Sequence, residues 1–389
     1  MKAILKLYEE VRILEGHPWI FRNEVADITG DIKGGGIVDV YSSRDEFIGR
    51  GYLNFASKIL IRILTYNIDE VINEEFFEKR IASAINMRKD IRGNNSCRLI
   101  FSEADYLPGL IVDRYGDYVV IEISTLGMDL WRDTIVKVLR KLLNPLGIYE
   151  RSDNSSRKKE GLEPVLGFVG EEFDTNIVIE ENGFKMNVDL ANGQKTGYFL
   201  DQTENRANIK NYVAGKKVLD CFSHTGAFGI HAAGFGAREV TSVEISHLAV
   251  EKIKENIALN GFNNIKVIED DAFNYLEEAY NSGERFDVVI LDPPAFTKAK
   301  DTVKQAYLGY QKINTLGLKM LNPGGYLITF SCSGNMTADL FLEMLKNASR
   351  KAKKQVQLIE YRMQTKDHPM LLANMETLYL KCAVIRVCE

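Results

Sequence analysis

The spacing of hydrophobic and polar positions changes along the chain, beginning with a segment typical of β-strands. In the first 70 residues, short apolar runs are separated by turn residues, which predicts a small β-rich module. Its predicted strands lie at 37–41, 47–53 and 59–64. From Glu74 to Arg92, apolar residues recur at helical spacing and predict a long amphipathic helix.

A mixed α/β segment follows this helix. We predict strands at 98–102, 110–113 and 118–123, a helix near 130–143, and hairpin strands within 176–189. The polar stretch from Ser152 to Gly161 predicts a loop. These changes divide the chain into three expected domains, at 1–70, 71–175 and 176–389.

Strand and helix patterns alternate from Gly215 onward. Strands are predicted at 218–222, 239–244, 265–269, 287–291 and 326–330, with helices such as 248–260 and 302–321 between them. This alternation is typical of a doubly wound α/β fold with a mostly parallel sheet. The long apolar segment 378–387 has no helix after it, so we predict a last, antiparallel strand inserted into the sheet.

Composition and charge narrow the class of protein. The chain has 389 residues, 45% hydrophobic and 26% charged, which is typical of a globular protein with two or three domains. No apolar run approaches the roughly 20 residues that a membrane span needs, so we expect a cytoplasmic protein without a membrane partner. The five cysteines lack a Cys-x-x-Cys pair, which predicts reduced thiols and no metal site.

The net charge of −5 differs from that of proteins held to nucleic acid mainly by overall basicity. An RNA partner would have to meet local basic clusters. The candidates are 157–159, the pair Lys298 and Lys300, and 350–354. Such clusters are also typical of solvated surfaces.

An acid and two prolines directly follow one of the predicted buried strands. Asp292, Pro293 and Pro294 come after the apolar run Phe286–Leu291, and proline cannot continue a central strand. In open α/β sheets, ligands bind at the carboxyl ends of the strands. We therefore expect Asp292 to meet a polar substrate.

Three further acids follow strand ends in the same half of the chain. Asp220 precedes the loop Phe222–Gly226, which has fewer glycines than a dinucleotide-binding loop, and an acid there favours an ammonium group over a phosphate. Glu244 could accept the hydroxyls of a ribose, and Asp271 the amino group of an adenine. Each acid could instead cap a helix. Together they favour S-adenosylmethionine, which is cationic and has no phosphate.

In order and spacing, these segments resemble the class I S-adenosylmethionine-dependent methyltransferases, which have a Rossmann-like sheet. The resemblance implies cofactor-binding roles for Asp220, Phe222, Thr225, Gly226, Phe228, Glu244, Ile245, Asp271, Ala272, Phe273 and Asp292. The segment Asn192–Gln202, followed by Arg206, is similar to the signature of large-subunit ribosomal RNA cytosine-C5 methyltransferases. That family carries an N-terminal PUA RNA-binding module, to which Gly16–Arg22 is similar, and then an intervening α/β domain.

The narrower resemblance implies further site residues and ribosomal RNA as the partner. Gln194, Lys195, Thr196, Phe199 and Gln202 are expected to flank the cofactor and the target base. From their charge alone, Lys195 and Arg206 could contact RNA phosphates or pair with neighbouring acids. Pro293, Pro294, Ala295 and Phe296 could form an apolar wall for a base that has left its stack. The β-rich module could equally form contacts in a homodimer.

Cys332 follows the last parallel strand and suits the role of a nucleophile. Cytosine C5 is too weakly nucleophilic to accept a methyl group unaided, and a thiolate that adds to C6 makes it enamine-like. Cys332 resembles the nucleophile of the cytosine-C5 family, although core packing is the alternative for any cysteine and Cys221 is a rival thiol. With Asp292, it completes the predicted catalytic pair. The base that removes the C5 proton is unassigned, with His368 as one candidate.

Three other functions compete with this prediction. An enzyme that methylates exocyclic amines would use Asp292 without a thiol. A non-catalytic RNA-binding protein would not need acids at every cofactor position, and an NAD-dependent dehydrogenase would favour a glycine-rich first loop.

Overall fold

The computed structural model describes residues 1–31, 33–89, 91, 95–296 and 302–388. They form two compact units. The first contains Met1–Ile179, Val188–Leu200 and Lys366–Thr377, and the second contains Glu180–Asn187, Asp201–Thr365 and Leu378–Glu389. The three-domain division at residues 70 and 175 stays a prediction.

The first unit begins with a six-stranded sheet. Its elements are β1 (Lys2–Leu5), α1 (Glu10–Leu14), β2 (Trp19–Phe21), β3 (Val25–Thr29), β4 (Ile37–Tyr41), β5 (Phe47–Leu53) and β6 (Ile59–Thr65). The strand order is β2-β6-β5-β4-β1-β3, and a core that includes Leu5, Ile20, Val38 and Ile61 fills the module. The predicted β-rich start of the chain is confirmed, while β1, β2, β3 and α1 were not predicted.

A five-stranded sheet with helices completes the first unit. Its elements are α2 (Glu74–Met87), β7 (Ser96–Phe101), β8 (Leu110–Tyr115), β9 (Tyr118–Ile123), α3 (Leu126–Leu130), α4 (Arg132–Leu143), β10 (Gly147–Ser152), α5 (Ser155–Lys159) and β11 (Val165–Phe168). The strand order is β11-β10-β9-β8-β7. Phe77 and Ile81 of α2 pack with Ile135 and Val138 of α4 and with strand residues in one core.

Two predictions for this region were wrong. Helix α2 ends at Met87, because Arg88 leaves the helical conformation and its side chain turns inward to bind Asp105 at 2.8 and 2.7 Å. The predicted continuation to residue 92 falls partly on residues that lie outside the described part of the chain. The expected loop 152–161 contains α5, since Asn154 Oδ1 accepts hydrogen bonds from the first free N–H groups of a helix.

A hairpin of β12 (Asn176–Glu181) and β13 (Phe184–Asp189) follows, as predicted. The helices of the second unit are α6 (Thr203–Asn208), α7 (Lys210–Val213), α8 (Ala227–Gly234), α9 (His247–Asn260), α10 (Ala272–Asn281), α11 (Val303–Met320) and α12 (Ala338–Ala352). Its strands are β14 (Lys217–Cys221), β15 (Glu239–Glu244), β16 (Ile265–Glu269), β17 (Phe286–Leu291), β18 (Leu321–Ser331), β19 (Val356–Arg362) and β20 (Lys381–Val387).

The second unit is a doubly wound α/β sheet, as predicted. The strand order is β16-β15-β14-β17-β18-β20-β19, with parallel pairing up to β18. Strand β20 runs antiparallel between β18 and β19, which confirms the predicted inserted strand. Strand β19 was missed because it lies at the edge and exposes Leu358 (48%) and Ile359 (45%), so its apolar residues do not alternate.

Two apolar cores cover the two faces of this sheet. Leu219 and Val289 belong to the core formed with α10, α11 and α12, whereas Val218 and Val288 belong to the other core. Neighbouring residues of a strand therefore point to opposite faces. Within the described part of the chain, no helix is both long and apolar enough to cross a membrane.

The sheet order also decides which side chains meet at one edge. The parallel strands β16, β15, β14, β17 and β18 end at the same edge, and the antiparallel strand β20 begins there. The residues that follow these strands are those that the sequence singled out.

Candidate active site

Asp220 is the most deeply buried acid at this edge of the sheet. It lies at the end of β14 with no exposed surface, and its Oδ2 accepts the N–H of Gly229 at 3.1 Å. Its Oδ1 has no hydrogen-bond partner among the described residues. Burial raises the pKa of Asp220 to about 7. A cationic ligand would compensate this carboxylate, which suits the α-ammonium group of S-adenosylmethionine.

Glycine allows α8 to approach the sheet beside Asp220. A Cβ at Gly229 would lie 2.4 Å from Oγ of Ser242 and 3.2 Å from Oδ2 of Asp220. Gly226, at the start of α8, has a φ of +83°, a conformation that favours glycine. Both glycines therefore set the shape of the loop after β14.

Glu244 holds the same loop from the neighbouring strand. Its Oε2 accepts the N–H of His224 at 2.8 Å, and its Oε1 accepts the N–H of Ser246 at 3.0 Å. Phe222 and His224 have φ values of 62° and 50°, so the loop keeps two non-glycine residues in the left-handed region. Glu244 thus supports the strained loop through its backbone.

Asp271 caps α10. Its Oδ1 accepts the N–H groups of Phe273 and Asn274 at 2.9 and 3.2 Å. These are the contacts of a helix N-cap, the alternative role that the sequence left open for this acid. A capping carboxylate retains lone pairs, and the predicted contact of Asp271 with an adenine stays a prediction.

The other predicted cofactor residues differ in exposure. Ile245 exposes 65% of its surface directly after Glu244, which suits a contact with a ligand ring. Phe228 is 5% exposed and packs 5.1 Å from the ring of Phe330, and Ala272 is 4% exposed. Oγ1 of Thr225 is buried without a partner in the described structure.

Asp292 and Gln202 form a hydrogen-bonded pair at the end of β17. Nε2 of Gln202 donates to Oδ2 of Asp292 at 3.0 Å, while its Oε1 accepts from Asn205 at 2.8 Å. The orientation of the Gln202 amide is therefore set by Asn205. Burial, and then the charge of Asp201, raise the pKa of Asp292 to about 7.

The turn after Asp292 contributes an aromatic wall. Pro293 is buried, Pro294 is exposed, and the ring of Phe296 lies 4.6 Å from that of Tyr310 and 6.2 Å from that of Phe273. The basic candidates Lys298 and Lys300 lie outside the described residues.

Cys332 follows β18 at the same edge. It is half-buried, whereas Cys97, Cys221 and Cys382 are buried. Burial raises the pKa of Cys221 well above its ordinary value, which makes this rival thiol a poor nucleophile. Tyr310 has no exposed surface, and burial, with a smaller contribution from the charge of Cys332, raises its pKa to about 12.

Four of the five residues expected to flank the cofactor and the target base belong to the first unit. Thr196 is 1% exposed and donates to Oδ2 of Asp113 at 2.5 Å, and Nζ of Lys195 lies 4.8 Å from the ring centroid of Phe199. The fourth, Gln194, bridges to Gly197 in a tight turn. Their contact with the cofactor or the target base stays a prediction.

Arg206, His368 and Arg157 occupy structural positions in the described fold. Arg206 is 2% exposed and binds Glu181 through two nitrogens at 2.5 and 2.8 Å, the ion-pair alternative given above. Nδ1 of His368 lies 2.7 Å from Asp367 in the first unit. Arg157 is 3% exposed and pairs with Asp129 at 2.8 Å, so it does not form a surface patch.

Sequence reasoning missed two polar residues near Cys332. Lys381, at the start of β20, donates to the carbonyl oxygen of Ser333 at 2.6 Å. Tyr310 lies in the middle of α11, where it was indistinguishable from a core residue. The one available signal was the lysine inside the apolar segment 378–387, which a buried strand rarely contains.

The site therefore fits S-adenosylmethionine better than a dinucleotide. The unsatisfied carboxylate oxygen of Asp220 suits a cation, and the exposed Ile245 suits an apolar ring. Among the residues described, no group of three or more His, Cys, Asp or Glu side chains is arranged to hold a metal ion.

Two protein families match parts of the chain. Residues 4–66 match the PUA-like domain family, and residues 163–371 match the family of S-adenosylmethionine-dependent methyltransferases. A crystal structure of a protein described as a methyltransferase, complexed with SAH, is 26% identical with a TM-score of 0.86 and 100% coverage of both chains.

Two relatives match over nearly their whole length. Ribosomal RNA large subunit methyltransferase I of Shewanella denitrificans is 42% identical over 390 residues, covering 98% of each protein. The protein of the same name from Klebsiella pneumoniae is 40% identical over 392 residues, covering 99% of this chain and 98% of the relative. The chain belongs to the S-adenosylmethionine-dependent methyltransferase family, and it carries a PUA-like domain at its N-terminus. Both the predicted cofactor and the predicted fold class are thereby confirmed.

Proposed function

We propose that this protein methylates C5 of a cytosine in large-subunit ribosomal RNA, with Cys332 as the nucleophile that adds to C6. The relatives at 40 and 42% identity are named ribosomal RNA large subunit methyltransferases, which supports the class of substrate. The PUA-like domain supports an RNA substrate as well.

The position of Cys332 carries the proposal of cytosine-C5 chemistry. Cys332 follows β18, and Asp292 follows β17, which pairs with β18 in parallel. Amine methylation would need Asp292 but would have no use for a half-buried thiol on the adjacent strand. The pair suits a reaction in which one group attacks the base while the other binds its polar edge.

The proposed reaction begins when the Cys332 thiolate adds to C6. An S–C6 bond forms, and the electrons of the C5=C6 double bond move toward C4 and N3, which takes up a proton. C5 then has the character of an enamine. When the proton on C5 is later removed, the double bond re-forms, the S–C6 bond breaks, and the thiolate is regenerated.

Asp292 is the proposed partner of cytosine N3. Burial, followed by the charge of Asp201, raises the pKa of Asp292 to about 7, so a large share of this carboxyl is protonated near neutral pH. A protonated carboxyl donates to N3 as negative charge develops there. The amide of Gln202, at 3.0 Å, fixes the orientation of the carboxyl.

The residues proposed to hold the cofactor line the other half of the same edge. Asp220 would bind the α-ammonium group, Glu244 the ribose hydroxyls, and Asp271 with Ile245 and Phe273 the adenine. When bound, S-adenosylmethionine supplies an electrophilic methyl group on a sulfonium centre. The chain's own residues orient the base and activate C5.

A depression on the first unit is the proposed RNA contact of the PUA-like domain. Its volume is about 610 Å³, and it is lined by Phe21, Arg22, Asn23, Ala56, Ser57 and Lys58. The two cations, Arg22 and Lys58, suit contacts with phosphates, and the aromatic ring of Phe21 suits stacking with a base. Phe21 and Arg22 belong to the segment that resembles the PUA signature.

An RNA with fluorine at C5 tests the nucleophile. The C5 proton is absent from 5-fluorocytidine, so the elimination step cannot occur and the protein should stay covalently attached. We expect a complex that survives denaturing electrophoresis, requires S-adenosylmethionine, and carries the RNA on the peptide containing Cys332. Cys388→Ala, which removes another half-buried cysteine, should still form it, whereas Cys332→Ala should not. A stable complex with Cys332→Ala would contradict the proposal.

A further inference from the structure

Lys381 is a buried lysine beside the proposed nucleophile. It is 3% exposed and begins β20, where its Cα pairs with that of Ser331 at the end of β18. Cys332 is the next residue after Ser331. The register between the two strands therefore brings a cationic side chain to the cysteine from a segment about 50 residues further along the chain.

Two backbone carbonyl groups hold the side-chain nitrogen of Lys381. Nζ donates to the oxygen of Ser333 at 2.6 Å and to that of Tyr379 at 2.8 Å. A neutral amine has two hydrogens and one lone pair, so the two carbonyls use both hydrogens and the lone pair can accept a proton. In the charged form the third hydrogen can donate instead.

The electrostatic coupling of Lys381 points to Cys332. Burial lowers the pKa of Lys381 to about 8, and the charge of Cys332 acts in the opposite direction by favouring the ammonium form. The charge on Cys332 and the charge on Lys381 therefore stabilise each other. At neutral pH the lysine is close to the point at which it exchanges a proton.

We propose that Lys381 is a positioning residue that takes the proton of the Cys332 thiol and stabilises the resulting thiolate as an ammonium–thiolate pair. The inference rests on the proposed role of Cys332. The proton moves from Sγ to Nζ, so the net charge of the pair does not change. When Cys332 leaves C6, the thiolate re-forms beside the ammonium group.

Other ionisable groups also face this pair. Tyr310 of α11 is influenced by the charges of Cys332 and Asp292. From β20, Cys382 is fully buried, and burial keeps it protonated. From β19, Arg362 and Glu360 act on Cys382 with opposite signs. Tyr310, whose pKa is raised to about 12, is neutral near pH 7, and Asp292 carries either no charge or a negative one, so neither supplies a positive charge to a thiolate at Cys332.

The pH dependence of alkylation tests this role. Intact protein is treated with iodoacetamide between pH 5.5 and 9.5, and the alkylated peptide containing Cys332 is quantified by mass spectrometry, with the Cys388 peptide as internal reference. We expect a midpoint for Cys332 below the value of about 8.5 of an ordinary thiol. Lys381→Met should raise this midpoint by about one pH unit or more.

Three further variants separate charge from structure. Lys381→Arg keeps a cation and should keep the low midpoint. Lys381→Gln keeps donors for the two carbonyls but has no charge, so it should behave like Lys381→Met, and it replaces that variant should the latter not fold. The matched control is Lys217→Met, because Lys217 is a partly buried lysine of the same unit, paired with Glu284 at 2.9 Å. Its midpoint should equal that of the wild type.

Unchanged midpoints in folded Lys381→Met or Lys381→Gln would overturn the inference, and so would an equal shift in Lys217→Met. The alkylation midpoint does not depend on methyl transfer. A wild type with a lysine-dependent low midpoint but no covalent complex with 5-fluorocytidine RNA would reject the cytosine-C5 proposal and retain the Lys381–Cys332 pair. A covalent complex with 5-fluorocytidine RNA, together with a midpoint that does not depend on Lys381, would reject the role of Lys381 and retain the cytosine-C5 proposal.

Discussion

Nε2 of Gln202 donates a hydrogen bond to Oδ2 of Asp292 over 3.0 Å. This bond lowers the pKa of Asp292, against the larger effect of burial, which raises it. The same bond fixes the orientation of the Asp292 carboxyl, whose second oxygen is the one proposed to meet the base.

Replacing Gln202 by leucine should raise the pKa of Asp292 further. If Asp292 acts as a proton donor, methylation declines as the pH rises through its pKa of about 7 in the wild type. The decline should move to higher pH in Gln202→Leu, with a loss of rate of about tenfold because the carboxyl is less well oriented. The measurement is kcat/KM for RNA between pH 6 and 9. Gln311→Leu, at a buried glutamine of α11, is the control, and an unmoved alkaline limb in Gln202→Leu would contradict this role of Asp292.

Glu244→Gln should weaken cofactor binding by about 10- to 100-fold. The carboxylate accepts the N–H groups of His224 and Ser246, and an amide nitrogen in place of one oxygen would face a donor. Isothermal titration with S-adenosylmethionine gives the dissociation constants. Glu239→Gln changes an acid at the other end of β15 and should bind like the wild type. Equal affinity of the two variants would count against the assigned role of Glu244.

Asp220→Asn should stabilise the protein at alkaline pH. The folded state raises the pKa of this carboxyl to about 7, above the value of about 3.9 in an unfolded chain. The unfolded state therefore releases the proton first, and wild-type stability falls as the pH rises from about 4 to about 7. Asparagine does not ionise in this range. The free energy of unfolding of Asp220→Asn, relative to that of the wild type, should therefore increase by on the order of 2 kcal/mol between pH 5 and 8.

Urea unfolding at pH 5 and 8 measures this difference. Asp287→Asn is the control: burial would raise the pKa of Asp287, but hydrogen bonds from Lys217 and Asn322 and the charges of Lys216 and Arg238 outweigh it and hold the pKa below its usual value. This carboxyl is therefore ionised in both the folded and the unfolded state at pH 5 and at pH 8, and the difference between Asp287→Asn and wild type should be the same at both. A pH-independent difference between wild type and Asp220→Asn would contradict the burial of a protonated carboxyl at this position.

Gly229→Ala should destabilise the fold by about 1–3 kcal/mol. The added Cβ would lie 2.4 Å from Oγ of Ser242 and push α8 away from Asp220. Gly334→Ala is the matched control, since a Cβ at Gly334 meets no heavy atom within 4 Å. It should change the free energy of unfolding by less than about 0.5 kcal/mol. Equal urea unfolding midpoints for Gly229→Ala and Gly334→Ala would contradict this prediction, because α8 would then shift without loss of stability.

The sequence predicted the features that local patterns encode. Asp220, Glu244 and Asp292 were predicted to lie at one edge of the sheet because each ends or follows an apolar run whose alternation with helices marks a parallel strand. The end of α2 was misjudged because Arg88 is polar in the sequence but buried in the fold, where it binds Asp105.

Features that depend on long-range pairing could not be predicted. The proximity of Lys381 to Cys332 follows from the antiparallel register of β18 and β20, which no local pattern reports. The bond from Gln202 to Asp292 joins residues 90 positions apart. In both cases the polar partner is identified only once the sheet order is known.

Identification of the methylated nucleoside tests the central claim most directly. Ribosomal RNA from cells that lack the protein is incubated with radiolabelled S-adenosylmethionine and either wild-type or Cys332→Ala protein, digested, and separated by chromatography. We predict label in 5-methylcytidine with the wild type, and a loss of about a thousandfold or more with Cys332→Ala, which should still bind the cofactor. Label in a methylated guanine or adenine, or undiminished label with Cys332→Ala, would contradict cytosine-C5 methylation through Cys332.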